Sequence, residues 1–581
     1  MKIFARHDKS TFTPAEMAEM LIDPYEKTPK YAKAAVIFLC SGIALFGLIN
    51  LACRYGSRLA KTKRFRRCVA FYRWIATSQP RATRFASFPT VGTILLIVVF
   101  WLFIAIWTFA QTPYYRSRWN VGSPPLAMRT GLFALGCFPF ILAFGSKWNV
   151  YHQWLSHLFL ILSLLHTFPF VVQGTHEIRP NTDGLNPHGY SQLYYSWHVS
   201  HKVTDVFPLR FRSSGIAALV PLAVLCWGSF AFIRNRSYEL FKYLHIVSAV
   251  LFSAFFYIHC NALLTSWHYL WATAAVYLTA LLVRLCLILV RNGRLCLSLV
   301  RNGRRLPLAH LEALPDHAIR ATISLPAGAG IRWTAGQHYF VNFLKASAWE
   351  SHPYTVANAP WIDPSSSASP STMILLLRVS PLTGLGPRLL HLASSSSSSS
   401  PTTQVLLDGP YGGPSSSSIE FGRHEKVVLI AGGAGMSFVV AVVEELCGRM
   451  EAKEWFDEQV ERAIRFVEDK VELHLYVTGS SLGDDVVDAK VEEVEDDKGS
   501  SGSPSSAPWV THHHRPSLPA LLASAFDSAR PNSSIGIGSC GPTSLTEEVR
   551  RVVASRQREI AFGKSGKGVG EIELWTEEFG W

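Results

Sequence analysis

Four histidines, His152, His166, His245 and His259, stand inside long apolar stretches, where an ionisable ring needs a chemical reason to be. His152 and His166 share one stretch, His245 and His259 another, and both pairs are 14 residues apart. On an α-helix 14 residues is close to four turns, so each pair lines one face with a rise of about 21 Å. If the two helices run parallel, His152 meets His245 at one level and His166 meets His259 at the other. Two neutral imidazoles on opposite sides of an iron form a bis-histidyl haem site, which suits electron transfer because no coordination position stays open. A single buried histidine is more often a hydrogen-bonded core residue, and it is the matched spacing on two stretches that favours haem iron at two levels. His157, five residues from His152 and nine from His166, falls on neither face.

Three further segments carry chemistry. The turn AGGAGMS, with Gly432, Gly433, Gly435 and Met436, follows the strand-like KVVLIA and precedes a helical pattern. Glycines there let backbone N–H groups at a helix N-terminus approach a phosphate. The segment HPYTV supplies His352, Pro353, Tyr354, Thr355 and Val356, and GSCGP supplies Cys540, Gly541 and Pro542.

The elements that must hold these groups divide the chain in two. A bilayer core of about 30 Å takes roughly 20 apolar helical residues, because every backbone polar group must be satisfied inside the segment. Residues 34–53, 91–110, 126–144, 150–172, 215–233, 243–260 and 267–290 meet that condition, which predicts seven spans in a membrane domain over 34–290, after an N-terminal segment 1–33. The loop 54–90 holds ten Lys and Arg and no acid, which places it in the cytosol, and alternation puts the soluble half there too. The histidine stretches are separated by one span, so they run parallel. A net charge of +13 is accounted for by these membrane-flanking runs rather than by nucleic-acid binding. Ten scattered cysteines without a C-x-x-C pair give neither a disulfide framework nor a zinc site. The tandem repeat LILVRNGRLC, LSLVRNGRRL lengthens a basic junction over 291–320.

From 321 to 415 short strand-like runs alternate with serine tracts, and from 426 to 581 the pattern becomes strand, glycine-rich turn, helix, with an acidic, serine-rich insert at 484–506.

With the histidine ladder, GQHYFVNF and HPYTV, DGPYGG, AGGAGMS, GSCGP and the terminal EEFGW, the chain resembles the fungal ferric/cupric reductases and the superfamily they share with the NADPH oxidases. The resemblance implies a ferredoxin-reductase-like β-barrel that binds FAD, then an α/β domain that binds NADPH, with two haem b in the membrane. It implies Tyr354 packed along the flavin, the Thr355 hydroxyl near the hydride-accepting nitrogen, and Arg378 against the pyrophosphate beside a turn with Thr383 and Gly384. It further implies Cys540 at the nicotinamide and Trp581 stacked on the flavin. HHHRP makes Arg515 the candidate for the cofactor's 2′-phosphate.

The activity so implied is electron transfer from cytosolic NADPH through FAD and two haems to ferric or cupric chelates outside, in the plasma membrane or the vacuolar membrane, with a homo-oligomer left open. The outward loop 173–214, with His176, Glu177, Asp183, His188, His198, His201 and Asp205, offers groups that could collect the metal. Two other readings stay open: an oxidase that reduces O2 to superoxide, and a multispan transporter with a nucleotide-sensing domain, which predicts no haem.

Overall fold

The computed structural model describes residues 13–14, 28–59, 63–80, 88–115, 123–145, 149–176, 178–179, 190–191, 206–261, 263–301, 306–315, 317–325, 331–359, 371–379, 384–394, 401–414, 421–447, 474–476, 510–512, 514–563 and 568–578. In chain order the first helices are α1 (Pro29–Leu59), α2 (Lys63–Thr77), α3 (Val91–Phe109), α4 (Pro125–Phe144) and α5 (Asn149–His176). A hairpin of β1 (Ile178–Arg179) and β2 (Tyr190–Ser191) leads to α6 (Val206–Trp227), the short α7 (Ala231–Arg236), α8 (Tyr238–Cys260) and α9 (Ser266–Arg301).

Among the described residues six helices are long and apolar enough to cross a membrane, lying in α1, α3, α4, α5, α8 and the segment Leu263–Val290. The stretch 215–233, expected as a seventh, is bounded differently. Helix α6 starts earlier, at Val206, and its apolar part covers only Ser214–Trp227. It stops at Gly228 and Ser229, where the Ser229 hydroxyl turns back to donate to the Leu225 carbonyl oxygen at 2.5 Å, and α7 follows with Arg234 and Arg236 in its last turn.

Contacts divide the chain into two compact units, residues 1–53 with 80–284, and residues 54–79 with 285–581. Helix α2 therefore belongs to the soluble unit, although the sequence places it in a loop of the membrane domain.

In the membrane unit α4 is the central helix, with Phe133, Leu135, Cys137 and Phe138 buried against α5 and α8. Its Arg129, only 5% exposed, is satisfied by backbone carbonyls at the end of α3, donating to Thr108 at 3.1 Å, to Pro113 at 2.9 Å and to Gln111. A cation inside an apolar bundle is tolerable only with its N–H groups matched in this way.

In the soluble unit, β3 (Leu308–Leu314), β4 (Ala318–Leu325), β5 (His338–Phe343), β6 (His352–Thr355), β7 (Ser371–Arg378) and β8 (Thr402–Tyr411) form an antiparallel sheet in the order β6-β5-β8-β3-β4-β7, accompanied by α10 (Gly386–Ser394). A bridge from Val356 to Leu375 joins its two ends into a barrel. Alternate residues fill it, among them Ile319, Ala321, Ile323, Tyr339, Val341, Phe343, Met373, Leu375 and Leu377. Strand β3 and the start of β4 lie in the segment expected to be a basic junction, and α9 runs helical through the first copy of the tandem repeat and halfway into the second, to Arg301.

The α/β part comprises β9 (Lys426–Ala431), α11 (Met436–Cys447), β10 (His474–Tyr476), β11 (Val510–His512), α12 (Leu518–Asp527), β12 (Ser534–Gly541), α13 (Thr543–Ala561) and β13 (Glu571–Glu578). Strands β13-β12-β9 form a parallel sheet and β10 pairs with β11 in parallel. The insert 484–506 lies outside the described residues.

Candidate functional site

The two histidine helices bring their rings together level with level. His152 and His245 have ring centroids 6.2 Å apart, and His166 and His259 6.0 Å apart. Imidazole nitrogen sits about 2 Å from a transition metal. Two such bonds, with roughly 1 Å from each nitrogen to its ring centre, need about 6 Å between centroids. The pairs fit one iron each.

The tautomers fit as well. His166 Nδ1 donates to the Ala127 carbonyl and His152 Nδ1 to the Ile141 carbonyl, both at 2.8 Å. The Ser229 hydroxyl is already donating to Leu225, so His245 Nδ1 is the donor in its 3.3 Å contact with Ser229 Oγ. With Nδ1 protonated, Nε2 keeps the lone pair that a metal needs. Small residues make room for the rings of the His166 and His259 pair. A Cβ on Gly131 would lie 2.5 Å from His166 Nδ1, and one on Gly215 would lie 2.8 Å from His259 Cε1. His157 bonds the Gln153 carbonyl on its own helix and faces Phe230, apart from both pairs. Halfway between the levels, seven residues from each histidine, Phe159 and Phe252 meet edge to face at 5.7 Å with Phe138 against both. The same heptad spacing that marks the histidines marks this aromatic layer, which the sequence reading passed over.

Among the described residues no group of three or more His, Cys, Asp or Glu side chains is suited to a bare metal ion. His188, His198, His201, Asp183, Asp205 and Glu177 of the outward loop lie outside the described residues, as does the side chain of His176.

A second site forms in the soluble unit, where barrel and α/β strands approach. Thr355 on β6 and His338 on β5 are register partners, and Cys540 on β12 is the partner of Glu577 on β13. His338 Nδ1 lies 3.5 Å from Glu577 Oε1, so four strands converge on one spot. Here His338 Nδ1, Thr355 Oγ1 and Glu577 Oε2 are buried without a hydrogen-bond partner. Orphaned polar atoms gathered where these strands meet are what a polar ring system such as a flavin or nicotinamide would satisfy. Tyr354 turns the other way and packs on the barrel core, 6.0 Å from Phe343, while Val356 is fully buried and can offer only backbone. Burial pushes the Tyr354 hydroxyl well above its usual range. His352 is exposed beside Glu350, and the next residue, Pro353, is half-buried. Cys540 is fully buried, and burial, then the Glu577 carboxylate, drive its thiol far above the usual range, which keeps it in the neutral form.

The glycine turn is built for close approach. Gly432 N–H donates to the Cys540 carbonyl at 2.9 Å, Gly433 adopts φ +56°, and a Cβ on Gly435 would fall 2.5 Å from the Cys540 carbonyl carbon. A Cβ on Gly432 would meet Pro542 at 2.9 Å, so AGGAGMS and GSCGP form one cradle, with Gly541 at their junction and Met436 opening α11. Arg378 reaches the same place, 3.5 Å from where a Gly433 Cβ would stand. That puts a cation beside N–H groups at a helix start, the arrangement for a pyrophosphate. Arg515 is exposed between β11 and α12, and among the described residues no contact joins it to this cradle. Gly384 takes φ +66° in open space, whereas Thr383 and Trp581 lie outside the described residues. His338 and Glu577 are functional candidates that the sequence reading did not single out, although His338 stands in GQHYFVNF and Glu577 in the terminal acidic run.

Two adjacent glutamates of α11 tie the halves of this unit together. Glu444 accepts from Ala359 N–H at 2.7 Å and Glu445 from Ala335 N–H at 3.0 Å. Burial raises Glu444 to about 7, against the smaller opposing pull of the Ala359 bond. A carboxyl whose folded pKa is raised contributes stability that is full below its unfolded pKa and is lost as pH climbs through the folded value. Between about pH 4.5 and 7 stability should therefore fall by roughly 2–3 kcal/mol on this group's account. Thermal unfolding of Glu444→Gln against wild type over pH 5 to 8 checks it, since only wild type should carry that slope.

Three family models match the chain in order: the ferric reductase like transmembrane component at residues 130–256, an FAD-binding domain at 304–415 and the ferric reductase NAD binding domain at 424–554. Among curated relatives, a probable cell surface ferric reductase of Aspergillus oryzae is 29% identical over 417 residues, covering 69% of this chain and 51% of the relative. Ferric/cupric reductase transmembrane component 7 of Saccharomyces cerevisiae is 27% identical, covering 64% and 55%, and ferric reductase transmembrane component 3 of the same yeast is 25% identical, covering 86% and 68%. The chain thus spans about half the length of the first two. Among solved structures, ferredoxin-NADP+ reductase of Plasmodium falciparum with 2′P-AMP aligns to 47% of this chain and 96% of its own, at 8% identity and a TM-score of 0.28, too low to carry an argument. The chain thus carries, in order, a ferric reductase like transmembrane component, an FAD-binding domain and a ferric reductase NAD binding domain, and it is similar over most of its length to fungal ferric and ferric/cupric reductases.

Proposed function

We propose that this integral membrane protein takes hydride from NADPH on the cytosolic face and delivers single electrons through FAD and two haem b to ferric or cupric chelates on the other side of the plasma membrane. The observation that carries the reading is the pair of facing imidazoles at two levels, each at the separation one iron needs.

Bound flavin supplies the change from a two-electron donor to one-electron steps, and bound haem supplies passage across the bilayer. The chain supplies position. His152, His245, His166 and His259 would hold the irons, with carbonyl and hydroxyl partners at Nδ1 fixing three of the rings. Thr355 and His338 would meet the flavin ring, Arg378 and the Gly432–Gly435 turn the phosphates, and the Cys540 and Glu577 strands would wall the nicotinamide. Arg515 remains the candidate for the 2′-phosphate. The ferric and cupric acceptors come from what the relatives are named for.

A reduced-minus-oxidised absorbance spectrum of detergent-purified protein with FAD and NADPH, taken anaerobically and then with ferric citrate or air, tests this. Haem reduction followed by fast reoxidation on ferric citrate and slow reoxidation in air is expected. Fast reoxidation by air would replace the metal acceptor with O2, and absence of haem would overturn the reading altogether.

A further inference from the structure

Helix α2 has a surface no electron-transfer role requires. By sequence it sits between two spans, three residues after α1, yet it folds into the soluble unit and packs along α13 and the edge of β13. Its apolar face is largely engaged: Val69 and Ala70 are buried, and Phe71 and Trp74 flank Phe562 at 6.3 and 5.8 Å, with Phe71 still partly exposed. Its basic face is used as well. Arg73, with 17% of its side chain exposed, pairs with Glu571 at 2.8 Å, with Glu573, and with the Ile572 carbonyl at 3.2 Å. Burial works against charge on Glu573, but His424 and Arg73 outweigh it and hold the carboxyl below its usual range.

The partner surface is shaped for this helix. A Cβ on Gly563 would lie 2.8 Å from Arg67 Cζ and one on Gly570 would lie 3.0 Å from Arg66 Nη1, so two glycines flanking the turn into β13 seat two arginines. Thr77 bonds Gln557 at 2.8 Å, and Arg558 stands over the Trp74 ring at 5.7 Å. A basic amphipathic helix next to a span would ordinarily lie on lipid headgroups. Here Arg73 is committed to protein carboxylates and Arg66 and Arg67 lie against glycines, while Arg64 stays exposed.

We propose that α2 is a positioning element of the nucleotide-binding domain, and that Arg73, through Glu571 and Glu573, sets how fast electrons leave the flavin for the haems without taking part in hydride transfer. Strand β13 is gripped by Arg73 at its start and carries Glu577 near its end, beside Cys540 and His338. Helix α2 is continuous with the first two spans in sequence, so the grip moors the soluble unit to the membrane segment by a second stretch of chain besides α9. The inference rests on the electron-transfer reading above.

The test uses the full chain in membranes and compares wild type, Arg73→Lys, Arg73→Glu, and Arg73→Glu combined with Glu571→Arg and Glu573→Arg. Two rates are read: NADPH-driven haem reduction, and NADPH-driven reduction of a soluble dye that takes electrons from the flavin. Arg73→Glu should slow haem reduction by about tenfold or more while dye reduction stays within roughly twofold, because misplacement by an ångström is enough for such losses. Arg73→Lys and the charge-swapped triple variant should recover most of the rate. Unchanged haem reduction in Arg73→Glu, or a parallel fall of both rates that the swap does not reverse, overturns the proposal. If wild type itself reduces no haem, the function reading fails, and the mooring is judged by thermal unfolding of the full chain, which Arg73→Glu should destabilise and the charge-swapped triple variant should restore; no difference between Arg73→Glu and wild type overturns the mooring too.

Discussion

Replacing His166 by alanine should remove about half of the haem and cut NADPH-driven ferric citrate reduction by at least about 100-fold, while NADPH reduction of a soluble dye through the flavin survives. The ring is held at one end by the Ala127 carbonyl and faces His259 at 6.0 Å, and among the described residues no third His, Cys, Asp or Glu groups with this pair to replace it as a ligand. Gly131→Ala should give a milder version of the same defect. Its Cβ would sit 2.5 Å from His166 Nδ1, so the ring must rotate out of its bond to Ala127. Haem content by pyridine haemochrome and the two activities measured side by side check both variants. Full haem occupancy in His166→Ala would assign the ladder to some other pair.

The second large effect is expected at Gly435, with the opposite signature. A Cβ there overlaps backbone, the Cys540 carbonyl group and, at 3.1 Å, Gly541 N, and backbone cannot swing aside as a side chain can. Gly435→Ala should push the glycine turn off the end of β12 and lower NADPH-driven flux by roughly 100-fold through the nicotinamide site. The barrel core shares no residue with this contact, so FAD content should hold, and haem reduction by photoreduced flavin should proceed at the wild-type rate. Retained kcat and KM for NADPH would show that the turn is not where the nicotinamide cofactor binds.

Periodicity explains which parts were legible in the sequence. The histidine ladder repeats at 14 residues on two helices, and helix geometry converts that spacing directly into shared faces. The barrel's alternation and the glycine turn after β9 have equally local signatures. What escaped notice depends on distant partners. Arg73 was counted among positive-inside charges, because its carboxylates on β13 are some 500 residues away. His338 looked like a strand polar residue until the fold set Glu577 beside it. Strand β3 was hidden in the basic junction because LAHLEAL carries a histidine and a glutamate on its outer face, the ordinary pattern of a half-exposed strand. The end of α6 was read too late because Phe230, Phe232 and Ile233 continue the apolar run past Gly228, where the helix stops.

Helix α2 also bears on any attempt to obtain the reductase part as a water-soluble protein. A fragment cut just after the last span would begin near residue 302 and so leave one of its own helices behind. The face of α13 that receives Ala70 and Trp74 would then meet solvent bare, and Arg73 would be gone from both carboxylates at the start of β13, leaving Glu573 with His424 alone. Such a fragment should aggregate or refold poorly unless residues 54–79 are grafted back by a linker or supplied as a peptide.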